Sequence, residues 1–415
     1  MKTIYKAVVE PVILYASPAW ATAADKLLVK NKLKSVQRKF AIKIIKGYRT
    51  ISYDAAVALA GLLPLDLRIK ENSKLYKIKK GLEVENLKDI EPETKIDYKL
   101  KPHPAEQRRL KYNLIIDPEE LSKINGINIY TDGSKIEGRV GAAYSIINRG
   151  VEVKNKKLKL GNACSVYQAE LLAILEALEE ITETSGEETY NILSDSLSSL
   201  KAVCNLNSSH SLVHNIREKL KTLEAKNKNV RLYWIKAHIG LEGNERADQL
   251  AKEAALKLKI RPNYDKHPIS SIKRLLREES VEEWCDRYSA SDSGSTTKLF
   301  FPNPKIAYKY NKLNAHSSQK TQILTGHGAF AHYLHRFKIK NDPTCECDGV
   351  TLETVIHCLT ECPVHQTDRF NLEQKIDTKI ETNKLNNIAT LHSSEFFKFG
   401  ERIIKILTKR NKKVD

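Results

Sequence analysis

The sequence predicts an α/β domain, a five-stranded mixed sheet with helices, flanked by mostly α-helical segments. Three observations lead there. Between residues 125 and 258, apolar residues first alternate with period 2 and then recur with the helix period. Turn residues such as Arg149-Gly150 separate the runs. Outside that stretch the patterns are helical and rich in Lys and Arg.

The 415 residues carry 69 Lys plus Arg against 51 Asp plus Glu, a net charge of +18. A polyanionic partner follows from that balance, most often nucleic acid. Of the 7 Cys, four cluster between Cys345 and Cys362. That suits a metal site in a reducing compartment better than a disulfide framework. No stretch is apolar enough to span a bilayer. The N-terminal run is interrupted by Lys6, Glu10 and Pro11, which argues against a signal peptide. The expected location is intracellular, nucleus and/or cytoplasm, and not secreted.

Residues 1–90 read as a helical basic segment. Val29, Leu33, Val36, Phe40 and Ile44 recur at helix spacing. From Ala21 to Thr50 there are nine Lys or Arg and one Asp. Lys34, Arg38 and Lys39 are the expected phosphate contacts of that face. Residues 91–124 hold many charges and several prolines and read as a linker.

Within 125–258 the predicted strands are 127–132, 141–148 and 151–160, the last two joined by Arg149-Gly150. A helix follows to about Thr182, opened by the capping-box pair Ser165 and Gln168. A short strand to Ser194, helices near 197–206 and 211–225, the strand "NVRLYWI" and a helix from near Asn244 complete the order βββαβααβα. Interleaving of this kind implies a mixed sheet with helices on it. Residues 259–340 read as a helical connector, 341–370 as a Cys/His metal-binding motif and 371–415 as a helical basic tail.

The alternating run "NIYT" ends on Thr131, and a carboxylate follows at once at Asp132. Gly133, Ser134 and Lys135 then read as turn chemistry. A charge beside a core is costly unless something pairs with it. Glu170 early in the long helix, Asp195 at the end of the short strand and Asp248 in the last helix are placed to converge on Asp132. Converging carboxylates need a cation, since like charges raise one another's pKa. Oxygen ligands suit Mg²⁺ or Mn²⁺, and two such ions form a clamp for attack at a phosphodiester. Asp248 has a plainer alternative, pairing with Arg246 or Lys252.

"YTDGSK", "SVYQAELLAILEAL", "ILSDSLSSL" and "WIKAHIGLEGNERADQLAKEAA" resemble the four blocks of a type 1 ribonuclease H over about 125–258. The resemblance implies the ribonuclease H-like fold and hydrolysis of the RNA strand of RNA/DNA hybrids. It makes Asp132, Glu170, Asp195 and Asp248 the metal-binding acids. It makes His238 the flexible-loop histidine, with a part in proton transfer and product release. Gly133 and Ser134 are then the backbone groups that approach the RNA strand. Val166 and Leu197 stand where cellular members carry amide side chains, a departure shared with the retroelement branch.

"EPVILYASPAW" and "KLKSVQRKFAIKIIKGYRTISYDAAVALAGLLPLDL" resemble the region after the polymerase palm and fingers in Jockey-like non-LTR retrotransposon reverse transcriptases. The paired-aspartate polymerase motif is absent, so no DNA synthesis is expected. That likeness implies the C-terminal portion of a longer polyprotein, or a truncated copy, with element RNA and target DNA as further partners. Cys345, Cys347, His357 and Cys362 resemble the CCHC zinc-knuckle-like motif that follows the ribonuclease H in this group, as does "QILTGHGAFAHYLHRF" before them. Three thiolates and an imidazole suit a structural Zn²⁺, with Cys358 or His365 as alternative ligands. The rival function is a catalytically inactive nucleic-acid-binding remnant. A second enzymatic rival is a DEDD-type exonuclease or integrase relative, whose different acid pattern the "GNERADQLA" block does not suit.

Overall fold

The computed structural model describes residues 1–87, 89–96, 112, 114–121, 124–184, 189–237 and 239–412. The chain divides into two compact units. One joins Met1–Lys77 to Leu275–Asp415, and the other is Ile78–Arg274. No helix among the described residues is long and apolar enough to cross a membrane.

The first unit opens with short helical turns and then α1 (Leu27–Ile45), α2 (Tyr53–Ala60) and α3 (Leu65–Lys79). Helix α1 buries only part of the stripe its apolar spacing predicts, with Leu33, Phe40 and Ile44 packed against the core. Val36 is exposed, and the most buried line is Gln37, Ala41 and Ile45. Gln37 is tolerated there because both ends of its amide are satisfied. Its Nε2 donates to the Tyr5 hydroxyl (3.0 Å) and the Leu63 carbonyl (2.8 Å). Its Oε1 accepts from the Tyr53 hydroxyl (2.7 Å) and the Leu65 amide (3.1 Å). A reading of apolar period alone misses such a residue.

The second unit is built on a six-stranded sheet: β1 (Leu114–Ile115), β2 (Ile127–Ile136), β3 (Arg139–Asn148), β4 (Val151–Leu160), β5 (Thr189–Ser194) and β6 (Asn229–Trp234). The order is β1-β6-β5-β2-β3-β4. The β2–β3–β4 part is antiparallel, and β1, β6, β5 and β2 run parallel. Five strands match the predicted set. The sixth, β1, is two residues long and comes from the stretch read as a linker, where it pairs with β6. Both hairpins turn on two residues at positive φ, Glu137-Gly138 and Arg149-Gly150, as tight two-residue connections require.

Helices α4 (Val166–Glu183), α5 (Leu197–Cys204) and α6 (Ser211–Ala225) cover one face, and α7 (Glu242–Lys257) covers the other. Ile129, Tyr144, Leu158, Ile174, Leu178 and Ile216 lie in the core between sheet and helices. Helix α7 lies close enough to β3 that a Cβ on Gly141 would meet Ala255 N at 2.4 Å. Glycine is therefore required at that crossing.

The chain returns to the first unit through α8 (Ile269–Ala290) and continues through α9 (Ser318–Thr325), α10 (Ala331–Arg336), α11 (Val355–Thr360), α12 (Ser393–Asn411) and further helices between them. Phe396, Phe397, Ile403 and Leu407 of α12 join Ile45, Leu59 and Phe300 in one core. This unit is thus assembled from both ends of the sequence, and the sheet unit is inserted between them.

Candidate active site

The first expected carboxylate is not at a strand end. Strand β2 runs through Asp132 to Ile136, and the turn follows at Glu137-Gly138. Gly133, Ser134 and Lys135 stay in the ladder opposite Ala142, Gly141 and Val140. What ends near Asp132 is the pairing with β5, whose last partners are Thr131 and Ser194. Asp132 therefore sits at the edge of the parallel half, beside Asp195, which follows β5. Gly133 is a close-approach residue rather than a turn residue. A Cβ there would meet Glu170 N at 2.6 Å and the Ala169 Cβ at 2.8 Å. Its missing side chain lets α4 bring Glu170 down onto the strand.

The start of α4 is fixed by its cap. Ser165 accepts from Gln168 N (3.2 Å), and Gln168 Oε1 accepts from Ser165 N (2.9 Å), closing the predicted capping box. Beyond β5, Asp195 is held by its backbone, since its carbonyl accepts from Trp234 Nε1 at 3.0 Å.

Asp132, Glu170 and Asp195 each place a carboxylate oxygen within 4.8 Å of the others. Asp132 and Glu170 are buried, and Asp195 is half-buried. Burial first, then the Asp195 charge, pushes Asp132 up to about 7. Burial, then Asp132 and Asp195, pushes Glu170 up to about 8. Glu170 Oε2 is buried and has no hydrogen-bond partner. Carboxylates driven this far from their usual range, with an orphaned oxygen among them, fit a cation-binding site. Asp248 on α7 stands at the rim. It interacts with Asp132 and also pairs with Lys252 at 2.6 Å, the plainer contact its sequence position allows. His238 lies outside the described residues.

Sequence reasoning missed a second layer of contacts. Glu93, in the stretch read as a linker, accepts from the Tyr264 hydroxyl (2.6 Å) and lies 3.2 Å from His210 Nε2. Its backbone amide donates to the His267 carbonyl (2.8 Å). Gln168 Nε2 donates to the Lys266 carbonyl (3.1 Å). Residues on both flanks of the sheet thus strap the first turn of the helix that carries Glu170. Glu93 offers no local signal, because its partners lie far away in sequence.

The other candidate residues are in the helical unit. Lys34 stands 5.6 Å from the centre of the Tyr53 ring. Arg38 donates from Nε and Nη2 to the carbonyls of Ile51 and Arg49, so it shapes a loop. Lys39 is exposed. Cys345, Cys347, His357 and Cys362 bring one ligand atom each within 4.8 Å of one another. Cys345 Sγ and Cys362 Sγ are 3.7 Å apart, and Cys347 Sγ lies 3.3 Å from His357 Nε2. A tight turn sets the first pair, with Cys345 N donating to Thr351 O (2.7 Å) and Gly349 N to Cys345 O (2.9 Å). Thr354 caps α11 and so fixes His357. Cys358 and His365 are buried outside this group. Three thiols and an imidazole turned inward fit a tetrahedral cation such as Zn²⁺.

Residues 125–256 match the family described as RNase H. The chain is similar to ribonuclease HI of Campylobacter jejuni, 33% identical over 147 residues, 34% of this chain and 98% of that protein. It is similar to the retrovirus-related Pol polyprotein from type-1 retrotransposable element R1 of Popillia japonica, 24% identical over 256 residues, 59% of this chain and 97% of that relative. The polyprotein of the same name from Bradysia coprophila is 34% identical over 97 residues, 23% of this chain but 10% of the relative. This chain therefore aligns with about a tenth of that polyprotein's length.

Proposed function

The chain belongs to the ribonuclease H family, within a retrotransposon-related sequence, and we propose that it cleaves the RNA strand of RNA/DNA hybrids endonucleolytically. The observation that carries this reading is the set of three carboxylates within 4.8 Å, one with an orphaned buried oxygen. Asp132, Glu170 and Asp195, with Asp248 at the rim, would hold two divalent cations of the Mg²⁺ or Mn²⁺ class. Such a pair supplies Lewis-acid activation of water and charge neutralisation at the leaving oxygen.

The chain's own groups do the rest. Ionised Asp132 and Glu170 are costly alone, so the site is poised for positive charge. Gly133 is buried against α4, so the half-buried backbone at Ser134 is the surface offered to the RNA strand, whose 2′-hydroxyl marks it for cutting. Water adds to phosphorus, the bond from phosphorus to O3′ breaks, and the products are a 3′-hydroxyl and a 5′-phosphate. His238 is assigned the proton at the leaving group and product release. For Cys345, Cys347, His357 and Cys362 we propose a structural Zn²⁺.

The test is cleavage of a labelled hybrid in Mg²⁺, with duplex DNA, duplex RNA and Asp195→Asn alongside. The expected result is cleavage of the hybrid's RNA alone and an inactive variant. Hybrid binding without cleavage would replace this reading with a non-catalytic nucleic-acid-binding protein.

A further inference from the structure

Two segments far apart in sequence meet within the helical unit. Residues 46–51 leave α1 through Lys46, at φ 54°. Residues 326–328 leave α9 and lead into α10. Thr50 ties them together, with its hydroxyl 2.8 Å from His327 Nδ1 and 2.8 Å from the Tyr333 hydroxyl. Burial, then the nearby Arg336 and Arg38 guanidiniums, holds His327 down to about 4, so it is a neutral partner.

The result is a group of rings around Tyr333. Its centroid lies 5.8 Å from Tyr48, 4.9 Å from His327 and 5.0 Å from Phe337. Tyr333 is the floor at 9% exposure, while Tyr48 is 43% and Phe337 41% exposed. An aromatic cluster that merely fills a core hides its rings. Here the two outer rings remain open.

The cations beside them are uncommitted. Lys46, Arg49, Arg336 and Lys338 are exposed and form no ion pair among the described residues. The Arg336 guanidinium carbon stands 5.9 Å from the Phe337 ring centre. Three of the four lysines of β4 differ, since Lys154, Lys156 and Lys157 are paired with glutamates. Open rings flanked by free cations match one ligand chemistry, flat bases on a phosphate backbone. A duplex buries its bases in the stack, so only unpaired bases can lie on the rings.

We propose that Tyr48 and Phe337, around Tyr333, form a stacking platform for single-stranded RNA or DNA, with Arg49 and Arg336 on its phosphates. The hybrid-hydrolysis reading supports the class of partner, but the site is separate from the acid cluster.

The test is fluorescence anisotropy on the full chain with labelled oligouridine and oligothymidine of about 12 nucleotides, and a DNA duplex as control. Tight binding of either single strand is expected, and binding of neither overturns the proposal. Tyr48→Ala with Phe337→Ala weakens single-strand binding roughly tenfold per ring and leaves duplex binding unchanged. Tyr48→Phe stays near wild type. Arg336→Gln lowers the slope of log affinity against log salt by about 1. Unchanged single-strand affinity in the double variant, or an equal loss on duplex, overturns the platform. If the double variant melts early, exposed Arg336 decides the matter, and an unchanged salt slope counts against the site. Hybrid cleavage by the same variants stays at wild-type level. Single-strand binding without cleavage in the parent chain defeats the hydrolysis reading alone. Cleavage with ring-independent binding defeats the platform alone.

Discussion

The acid cluster and the thiol cluster collect ligand-type side chains by opposite routes. Asp132, Glu170, Asp195 and Asp248 come from β2, α4, the end of β5 and α7. Strand pairing and helix packing bring them together. Cys345 and Cys347 come from one turn, His357 from the first turn of the short helix α11, and Cys362 from just beyond that helix's end. The first cluster is held by a core that closes around it whether or not a cation is present, at the expense of crowded charge. The second rests on a small hydrogen-bonded turn, with Cys345 N donating to Thr351 O and Glu353 N to Pro343 O, and on the pairs of Arg410 with Glu346 and Glu353, rather than on a sheet. Metal should therefore matter for chemistry at the first and for folding at the second.

The largest expected effect is at the acid cluster. Asp132→Asn should lower hybrid cleavage by ~10³-fold or more while hybrid binding persists. The same change relieves charge crowding, so the metal-free sheet unit should melt a few degrees higher. A variant that is both inactive and less stable would show that Asp132 holds the fold and would break the contrast.

At the thiol cluster the order reverses. Zinc near one per chain is expected by metal analysis. Cys345→Ser, or chelation, should cost the helical unit ~3 kcal/mol or more, seen as a melting shift of roughly 10 °C. Cleavage of a short hybrid should survive below that melt. A zinc-free protein of equal stability would remove the cluster from this comparison.

Acid should separate the two units further. In the metal-free sheet unit, Asp132 at about 7 and Glu170 at about 8 lie above ordinary carboxylates. The folded form then binds the extra protons, so stability rises as pH falls from about 8 towards 4. Mg²⁺ should abolish that rise. In the helical unit, burial holds His316 at about 4, with its Nε2 2.9 Å from the Leu59 carbonyl, and His327 is also at about 4. Each contributes its stability in full above the ordinary histidine value and loses it as pH falls from about 6.5 to about 4. Melting curves of the two units across this range should move in opposite directions, and parallel movement would contradict the assignment.

What was legible in the sequence follows the same division. The capping box at Ser165, the hairpin at Arg149-Gly150 and the order of strands are local patterns, and each was readable. Asp132-Gly133-Ser134 reads as a turn in the sequence, whereas β2 runs on through it. Only the closeness of α4 shows why glycine stands at 133. Gln37 was unreadable because its four hydrogen bonds come from three distant segments. Strand β1 is two residues in a charged, proline-rich stretch and carries no period. The discontinuous helical unit rests on contacts between the chain's two ends, which no window on the sequence spans.

The smallest effect tests how far the acid cluster is held from outside the family match. Glu93 joins Tyr264 and His210, while Gln168 reaches Lys266, and two of these partners lie beyond residues 125–256. Loss of Glu93 leaves the Tyr264 hydroxyl and the half-buried His210 without their carboxylate, which costs roughly 1–3 kcal/mol. Glu93→Ala should therefore lower the melting point of the sheet unit by a few degrees. It should also loosen the turn that aims Glu170, raising the Mg²⁺ concentration needed for half-maximal cleavage several-fold, with kcat at saturating Mg²⁺ near normal. Glu93→Gln keeps one hydrogen bond and should fall between the two. A stability loss with unchanged Mg²⁺ dependence would make the strap a brace for the fold alone, and the acid cluster would then owe its geometry entirely to β2, β5 and α4.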